Sequence, residues 1–99
     1  GMGIYCTAKA GVEMLTRVLV VELAPYHINV NAVAPGIMQT KFSEPLWGSN
    51  ELLSEVLKTI PLGAIAETRD VVGTVLFLSS DLANFITGEI ITVDGGSMA

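Results

Sequence analysis

Two short apolar runs most constrain how this chain folds: residues 28–34, Ile-Asn-Val-Asn-Ala-Val-Ala, and residues 89–94, Glu-Ile-Ile-Thr-Val-Asp. Each has the length and the β-branched content of a strand, and each is followed by a turn signal, Pro35-Gly36 or Gly95-Gly96. Helical segments are predicted between the two runs, which makes a βαβ unit. Strands joined by such a crossover run parallel. The chain is therefore predicted to be α/β with about two parallel strands and flanking helices.

A long helix is predicted before the first strand, over residues 4–23. Apolar side chains recur along it at three- and four-residue spacing and define a stripe that is expected to be buried: Ala8, Val12, Leu15, Leu19 and Leu23. Val18, Val20 and Val21 extend the apolar surface to other faces, so the helix is expected to pack on two sides. Pro25 is expected to end it.

The segment between the strands is predicted to contain two further helices. Ser49 or Asn50 can cap a short helix that runs to about Thr59. Thr68 can cap the next helix, whose buried face is expected to consist of Val71, Val72, Val75, Leu76 and Leu78. A further turn is predicted at residues 81–84, whereas residues 37–49 fit no single period and are predicted to be irregular.

Tyr5 and Lys9 are the residues with the clearest chemical potential. They are four residues apart at the start of the long helix and therefore share one face. A cation held beside a phenol favours the phenolate, so the phenolic proton is more easily transferred near neutral pH. The pair could also be an ordinary helix pair, because a tyrosine followed four residues later by a lysine is common by chance.

Four motifs occur in order along the chain: Tyr5-x-x-x-Lys9, Asn31-Ala32-Val33-Ala34-Pro35-Gly36, Pro35-Gly36-x-x-x-Thr40 and Val93-Asp94-Gly95-Gly96. In this order and spacing the chain resembles the carboxyl-terminal half of the short-chain dehydrogenase/reductase family. The resemblance covers nearly every residue and includes Pro61-Leu62-Gly63 and Phe85-Ile86-Thr87-Gly88. It implies that residues 1–99 are the carboxyl-terminal part of a Rossmann-like domain with a doubly wound parallel sheet.

The resemblance implies that Tyr5 and Lys9 are both catalytic and cofactor-binding residues. Tyr5 resembles the general acid or base that exchanges a proton with the substrate oxygen. Lys9 resembles the residue that supports Tyr5 and hydrogen-bonds the nicotinamide ribose. The resemblance implies no metal site.

The remaining implied cofactor contacts follow the first strand. Pro35 and Gly36 resemble the turn that lets the backbone approach the nicotinamide ring, since glycine has no side chain. Ile37 backbone groups resemble the contacts to the carboxamide, and the Thr40 hydroxyl resembles the contact to the nearby phosphate. Residues 37–60 correspond to a substrate lid, although their large apolar side chains could also serve only local packing.

The implied activity is hydride transfer between NAD or NADP and an alcohol or ketone. The family's Gly-rich phosphate-binding turn and its catalytic serine do not occur among these residues, so the chain alone is expected to be an inactive fragment. The alternative is a non-catalytic module, derived from the family, that assembles with itself. The substrate is left open among 3-oxoacyl thioesters, sugars, polyols and steroids, as is the choice between NAD and NADP.

Composition limits the other partners. Hydrophobic residues make up 51% of the chain and charged residues only 15%. The resemblance implies that the first strand lacks its neighbour from the missing half of the sheet, so the chain is expected to self-associate. The net charge of -5 and the absence of a basic patch exclude nucleic acid.

No membrane span is expected, because Arg17 and Glu22 interrupt the longest apolar stretch. The amino terminus lacks a secretory signal, and Gly1-Met2 is either a tag remnant or native sequence. Cys6 is the single cysteine, so no internal disulfide can form and a reducing cytoplasm is favoured.

Overall fold

The structure, a computed structural model, describes every residue from Gly1 to Ala99. Four helices and two strands follow one another along the chain: α1 (Gly3–Leu23), β1 (Ala32–Pro35), α2 (Glu44–Trp47), α3 (Asn50–Lys58), α4 (Arg69–Leu78) and β2 (Ile90–Val93). Short 3-10 turns occupy Ala24–Tyr26 and Asp81–Ala83. The predicted α/β class is confirmed.

The two strands are hydrogen-bonded neighbours in a two-stranded sheet. The Ala32 N–H donates to the Glu89 carbonyl (2.8 Å), and further along both strands the Gly36 N–H donates to the Val93 carbonyl (3.0 Å). The paired residue numbers rise together, so the strands run parallel, as the predicted βαβ unit requires.

The first strand begins later than predicted, because asparagine side chains take the place of strand pairing at residues 28–31. The Asn29 side-chain amide donates to the Asn84 carbonyl (2.9 Å). The Asn31 amide donates to the Ile86 carbonyl (2.9 Å), and its side-chain oxygen accepts the Glu89 N–H (3.0 Å). In these contacts asparagine side chains, not strand backbone, bond to the backbone groups of residues 84, 86 and 89. The predicted start at residue 28 is therefore wrong, and β1 begins at Ala32.

Helix α1 has the predicted bounds to within one residue and ends at Leu23. Pro25 lies in the 3-10 turn that follows, and His27 closes this turn in the left-handed region (φ 57°), its N–H donating to the Ala24 carbonyl (3.0 Å). A residue in this conformation is a common way to end a helix.

The stripe predicted to be buried along α1 is largely exposed. Val12 and Leu15 are 53% and 54% exposed, and Thr16, whose hydroxyl donates to the Val12 carbonyl (2.9 Å), is the only fully buried residue of the helix. The face predicted to be buried on α4 is exposed in the same way, with Leu76 at 65%. Both predictions are wrong for this chain, because the 99 residues provide no layer that covers these faces.

Short polar side chains bond to the backbone at the starts of α3 and α4. The Ser49 hydroxyl accepts the Leu52 N–H (3.2 Å) at the start of α3, which confirms the predicted cap. At α4 the predicted Thr68 cap is replaced by the carboxylate of Asp70, which accepts the Glu67 N–H (2.7 Å). A carboxylate is also favoured there by the partial positive charge of a helix amino terminus.

The chain divides into two compact units, one of residues Gly1–Ala32 with Phe77–Ile91 and one of residues Val33–Leu76 with Thr92–Ala99. Ala83 is buried in the first unit and Ile60 in the second. Ile60 packs on the turn after β2, where Gly95 has a φ of 65° and a Cβ would lie 2.7 Å from the Ile60 Cγ2 atom. Only glycine combines this backbone conformation with this contact.

Much of the apolar surface is exposed to solvent. The chain exposes 7434 Å², whereas a folded monomer of its mass is expected to expose roughly 5,400 Å². Exposed large side chains include Ile4, Val21, Phe42, Leu62 and Phe85. No helix of the structure has both the length and the apolar character needed to cross a membrane.

Candidate functional site

Tyr5 and Lys9 lie together near the start of α1, as their spacing predicts. The Lys9 Nζ atom lies over the Tyr5 ring, 5.4 Å from its centre. Tyr5 is 51% exposed and Lys9 is exposed as well. The contact is a cation–π contact, so the ring holds the ammonium beside the phenol while neither polar group is engaged in a hydrogen bond within the protein. Both groups are available to a ligand.

Gly36 follows the last residue of β1, Pro35, at the carboxyl end of the strand. A Cβ at Gly36 would lie 2.8 Å from both the Cα and the Cβ of Asp94, which follows β2. The structure thus gives a reason for glycine that the sequence pattern does not: the two strand ends approach each other too closely for a side chain. An approach of the backbone to a ligand is not needed to explain it.

The Gly36→Ala substitution is expected to destabilise the protein by roughly 1–3 kcal/mol, because the added methyl overlaps backbone and forces the strand ends apart. Gly11→Ala in α1 is the matched control, since a Cβ added at Gly11 would have no other atom within 4 Å. We expect this control to gain roughly 0.5–1 kcal/mol of helix stability. Urea unfolding followed by far-ultraviolet circular dichroism measures the free energy of unfolding of both variants. Equal midpoints for Gly36→Ala and the parent would contradict the packing argument.

Ile37 and its neighbours are held in an extended conformation that the sequence did not reveal. The Ala66 N–H donates to the Ile37 carbonyl (3.3 Å), and the Gln39 N–H donates to the Ala66 carbonyl (2.8 Å). Met38 and Ala66 thereby form a parallel bridge. The Ile37 N–H has no hydrogen-bond partner in the protein. The donor is therefore available to a ligand.

Thr40 lies at the end of this extended segment, next to a hydroxyl that the sequence motifs do not include. The Thr40 hydroxyl oxygen accepts the Ser43 N–H (3.3 Å) and lies 3.2 Å from the Ser43 hydroxyl. Ser43 precedes α2, a helix of four residues within the part predicted to be irregular. The Thr-x-x-Ser spacing before Glu44 and Pro45 is the signal that could have revealed it, because such hydroxyls bond to backbone three residues away.

An open cavity of about 310 Å³ lies in the second unit and contains two carboxylates, Asp70 and Asp94. Both are already engaged with backbone. Asp70 accepts the Glu67 N–H, and the two carboxylate oxygens of Asp94 accept the Gly96 and Met98 N–H groups (2.9 Å each). These carboxylates shape turns, which agrees with the interpretation of Asp94-Gly95-Gly96 as a turn motif. No group of three or more metal-ligating side chains occurs in the structure.

The predicted site residues fall into two groups. Tyr5 and Lys9 belong to the first compact unit, and Pro35, Gly36, Ile37 and Thr40 belong to the second. Within each unit the structure brings the predicted residues together: one turn of α1 carries the first pair, and the end of β1 with the loop after it carries the rest.

Comparison with known proteins places these features in a family. The family model described as enoyl-(acyl carrier protein) reductase matches residues 1–98. L-xylulose reductase from Bos taurus is 42% identical over 96 residues, which cover 97% of this chain and 39% of the relative. The 3-oxoacyl-(acyl-carrier-protein) reductase FabG of Aquifex aeolicus is 46% identical over 92 residues, or 93% of this chain and 36% of the relative. The chain thus spans less than half the length of these relatives.

Solved structures of similar proteins support the same family. A protein from Agrobacterium tumefaciens solved with bound NADP is 40% identical and superposes with a TM-score of 0.90 over 95% of this chain and 38% of its own. A 4-hydroxyisoleucine dehydrogenase complexed with NADH is 30% identical, with a TM-score of 0.88 over 92% of this chain and 37% of its own. The motifs, the parallel pair of strands and these relatives lead to one conclusion: the chain belongs to the short-chain dehydrogenase/reductase family.

Proposed function

We propose that the chain is the carboxyl-terminal part of a longer NAD(P)-dependent oxidoreductase that interconverts an alcohol and a ketone. Relatives that are reductases and dehydrogenases support the reaction class. Their greater length, of which this chain covers 39% in the L-xylulose reductase, supports a longer protein. The single observation that carries the proposal is the Tyr5–Lys9 pair, held one turn apart with both polar groups unengaged.

In this proposal Tyr5 is the general acid in the direction of ketone reduction. Its phenolic proton passes to the substrate oxygen as that oxygen gains negative charge, and in alcohol oxidation the phenolate takes the proton back. Lys9 holds its positive charge beside the phenol and stabilises the negative phenolate. Its ammonium has three donors, so it can also bind a hydroxyl of the nicotinamide ribose.

The nicotinamide end of the cofactor is assigned to the loop after β1. When bound, the dinucleotide supplies or accepts the hydride. The unpaired Ile37 N–H is suited to the carboxamide oxygen, and the Thr40 hydroxyl is suited to a phosphate oxygen. Pro35 and Gly36 place this loop at the carboxyl end of the sheet, where ligands of open α/β sheets bind.

The substrate is proposed to be a small ketone or alcohol, either a sugar or polyol or a 3-oxoacyl thioester. The named relatives include an enzyme of each kind. Residues 37–60, which contain α2 and α3, are proposed to form the lid that selects between them. The test is oxidation of NADPH and NADH by the longer protein with L-xylulose and with an acetoacetyl thioester. If the longer protein bound the cofactor but oxidised neither NADPH nor NADH with either substrate, the proposed substrate classes would be contradicted.

The 99-residue chain by itself is expected not to bind NAD or NADP in the micromolar range. Its residues include no Gly-rich turn at a helix amino terminus, the feature that binds the pyrophosphate in this kind of fold. Calorimetric titration of the chain with each dinucleotide measures the affinity. Micromolar binding would contradict the proposal, because it would require a pyrophosphate site within these residues.

The isolated chain is also expected to self-associate. The exposed faces of α1 and α4 are apolar surfaces that a second copy can cover. Both outer edges of the two-stranded sheet are unpaired and can bond to the backbone of a second copy. Sedimentation equilibrium over a range of concentrations is expected to give masses above 10.4 kDa. A folded monomer at every concentration would contradict this expectation.

The same exposed surface favours a second candidate function, a non-catalytic module that assembles with itself or with a longer relative. Self-association of the chain is common to both proposals, whereas Tyr5-dependent turnover by a longer protein occurs only in the first. The cytoplasm is the proposed location in either case, on the basis of the single, unpaired Cys6.

A further inference from the structure

The Ser43 hydroxyl lies at the centre of a hydrogen-bond cluster in the loop after β1. It accepts the backbone N–H of Thr40 (3.1 Å) and the indole N–H of Trp47 (2.9 Å). It donates to the Met38 carbonyl. Ser43 and Trp47 are half-buried, so water does not readily replace these contacts.

Counting donors and acceptors shows that this hydroxyl is offered more partners than it can bind at once. A serine hydroxyl has one proton and two lone pairs. Its proton faces two acceptors, the carbonyls of Met38 and Thr40. Its two lone pairs face three donors, the N–H groups of Thr40 and Trp47 and the Thr40 hydroxyl, whose oxygen lies 3.2 Å away.

The Thr40 hydroxyl is held by the same cluster. Its oxygen accepts the Ser43 N–H (3.3 Å). Its proton has one acceptor within the protein, the Ser43 hydroxyl, for which two N–H groups compete. The Thr40 O–H is therefore a weakly held donor on a half-buried residue after the end of β1, and a bound anion can accept it instead.

We propose that Ser43 is a positioning residue for the cofactor: its hydroxyl and its N–H hold the backbone and the hydroxyl oxygen of Thr40, so that the Thr40 O–H can donate to a phosphate oxygen of the dinucleotide. This inference rests on the proposed function, in which Thr40 contacts that phosphate. Ser43 also ties Trp47 of α2 to the same loop, so the position of the lid and the direction of the Thr40 donor depend on one side chain.

Ser43→Ala tests the role of Ser43 through cofactor affinity in the longer protein. We expect NAD(P) to bind about tenfold or more weakly, the loss typical of one hydrogen bond to a charged group. We expect kcat at saturating cofactor to change little, because the proton donor is elsewhere. Ser43→Thr keeps the hydroxyl and is expected to restore affinity. Ser79→Ala is the matched control, since this serine after α4 is exposed, lies outside the proposed lid and makes no hydrogen bond through its hydroxyl.

A double-mutant cycle shows whether Ser43 acts through Thr40. Thr40→Val removes the donor and is expected to weaken cofactor binding as Ser43→Ala does. The double variant is expected to bind the cofactor as tightly as the weaker-binding single variant does, because both substitutions remove the same contact. Fully additive losses, or an unchanged affinity in Ser43→Ala, would overturn the inference. If the unmodified longer protein does not bind NAD or NADP, the proposed function itself fails instead.

The single tryptophan of this chain gives a readout that needs no cofactor. In Ser43→Ala the Trp47 indole N–H loses its partner, so its proton resonance is expected to shift, while Ser43→Thr and Ser79→Ala leave it in place. An indole resonance that does not move in Ser43→Ala would show that the cluster does not hold Trp47, and would overturn the proposed link to the lid.

Discussion

Replacing Tyr5 by phenylalanine in the longer protein is expected to reduce kcat by about 10²–10⁴-fold, the range typical of a lost general acid or base. The affinity for NAD(P) is expected to stay nearly unchanged. Phenylalanine keeps the ring under the Lys9 ammonium, which lies 5.4 Å from the ring centre, and removes only the hydroxyl. The substitution therefore isolates proton transfer from packing. Steady-state kinetics and a cofactor titration measure the two effects separately.

Tyr26→Phe is the matched control, because Tyr26 is the only other tyrosine of the chain and is 72% exposed in the turn after α1. We expect it to retain the parent activity. If Tyr5→Phe kept near-normal turnover, the proton would come from another group and the role assigned to Tyr5 would be wrong.

Replacing Lys9 by alanine is expected to lower both kcat and the affinity for the cofactor. The rate falls because the charge that supports the Tyr5 phenolate is lost. The affinity falls by about tenfold or more because a charged donor to the ribose is lost. A decrease in both kcat and cofactor affinity distinguishes Lys9→Ala from Tyr5→Phe, which is expected to decrease only kcat. The same kinetic and binding measurements apply.

Arg17→Ala serves as the control for Lys9→Ala, since it removes a positive charge from the same helix and Arg17 is exposed. Its kcat and its cofactor affinity are expected to match those of the parent. A Lys9→Ala variant that lost only stability, with kcat and affinity intact, would reduce Lys9 to an ordinary helix residue.

Local signals in the sequence predicted most of the secondary structure. The Ser49 hydroxyl caps α3 as its type and position indicate. Glycine at positions 36 and 95 indicated the ends of both strands, and the parallel pairing followed from the connection between them. These features depend on interactions within a few residues or on chain connectivity, which a sequence pattern can express.

Features that depend on distant contacts were not predictable in the same way. The start of β1 depends on Asn29 and Asn31, whose amides reach carbonyls more than fifty positions away. The predicted burial of Val12 and Leu15 assumed a covering layer that the 99 residues do not supply. A hydrophobic period shows which side chains share a face but does not show whether that face is covered.

The same distinction between local and distant contacts applies to the candidate site. Spacing alone placed Tyr5 next to Lys9, because residues four apart on a helix must be neighbours. The reason for Gly36 was different from the one expected, since its contact is with Asp94 across the sheet. Ser43 was missed entirely, because the partners of a hydroxyl depend on where groups such as the Met38 carbonyl and the Trp47 indole lie in the folded chain.

Binding of the nicotinamide end of NAD(P) by the loop after β1 is the proposal on which the assigned cofactor contacts depend. Backbone nuclear magnetic resonance of the longer protein, titrated with NADP, tests it through the Ile37 N–H. This donor has no partner in the protein and is expected to shift downfield as it gains one. The His27 N–H, already bonded to the Ala24 carbonyl, is expected to stay in place. A saturated complex in which the Ile37 resonance does not shift would contradict the proposal.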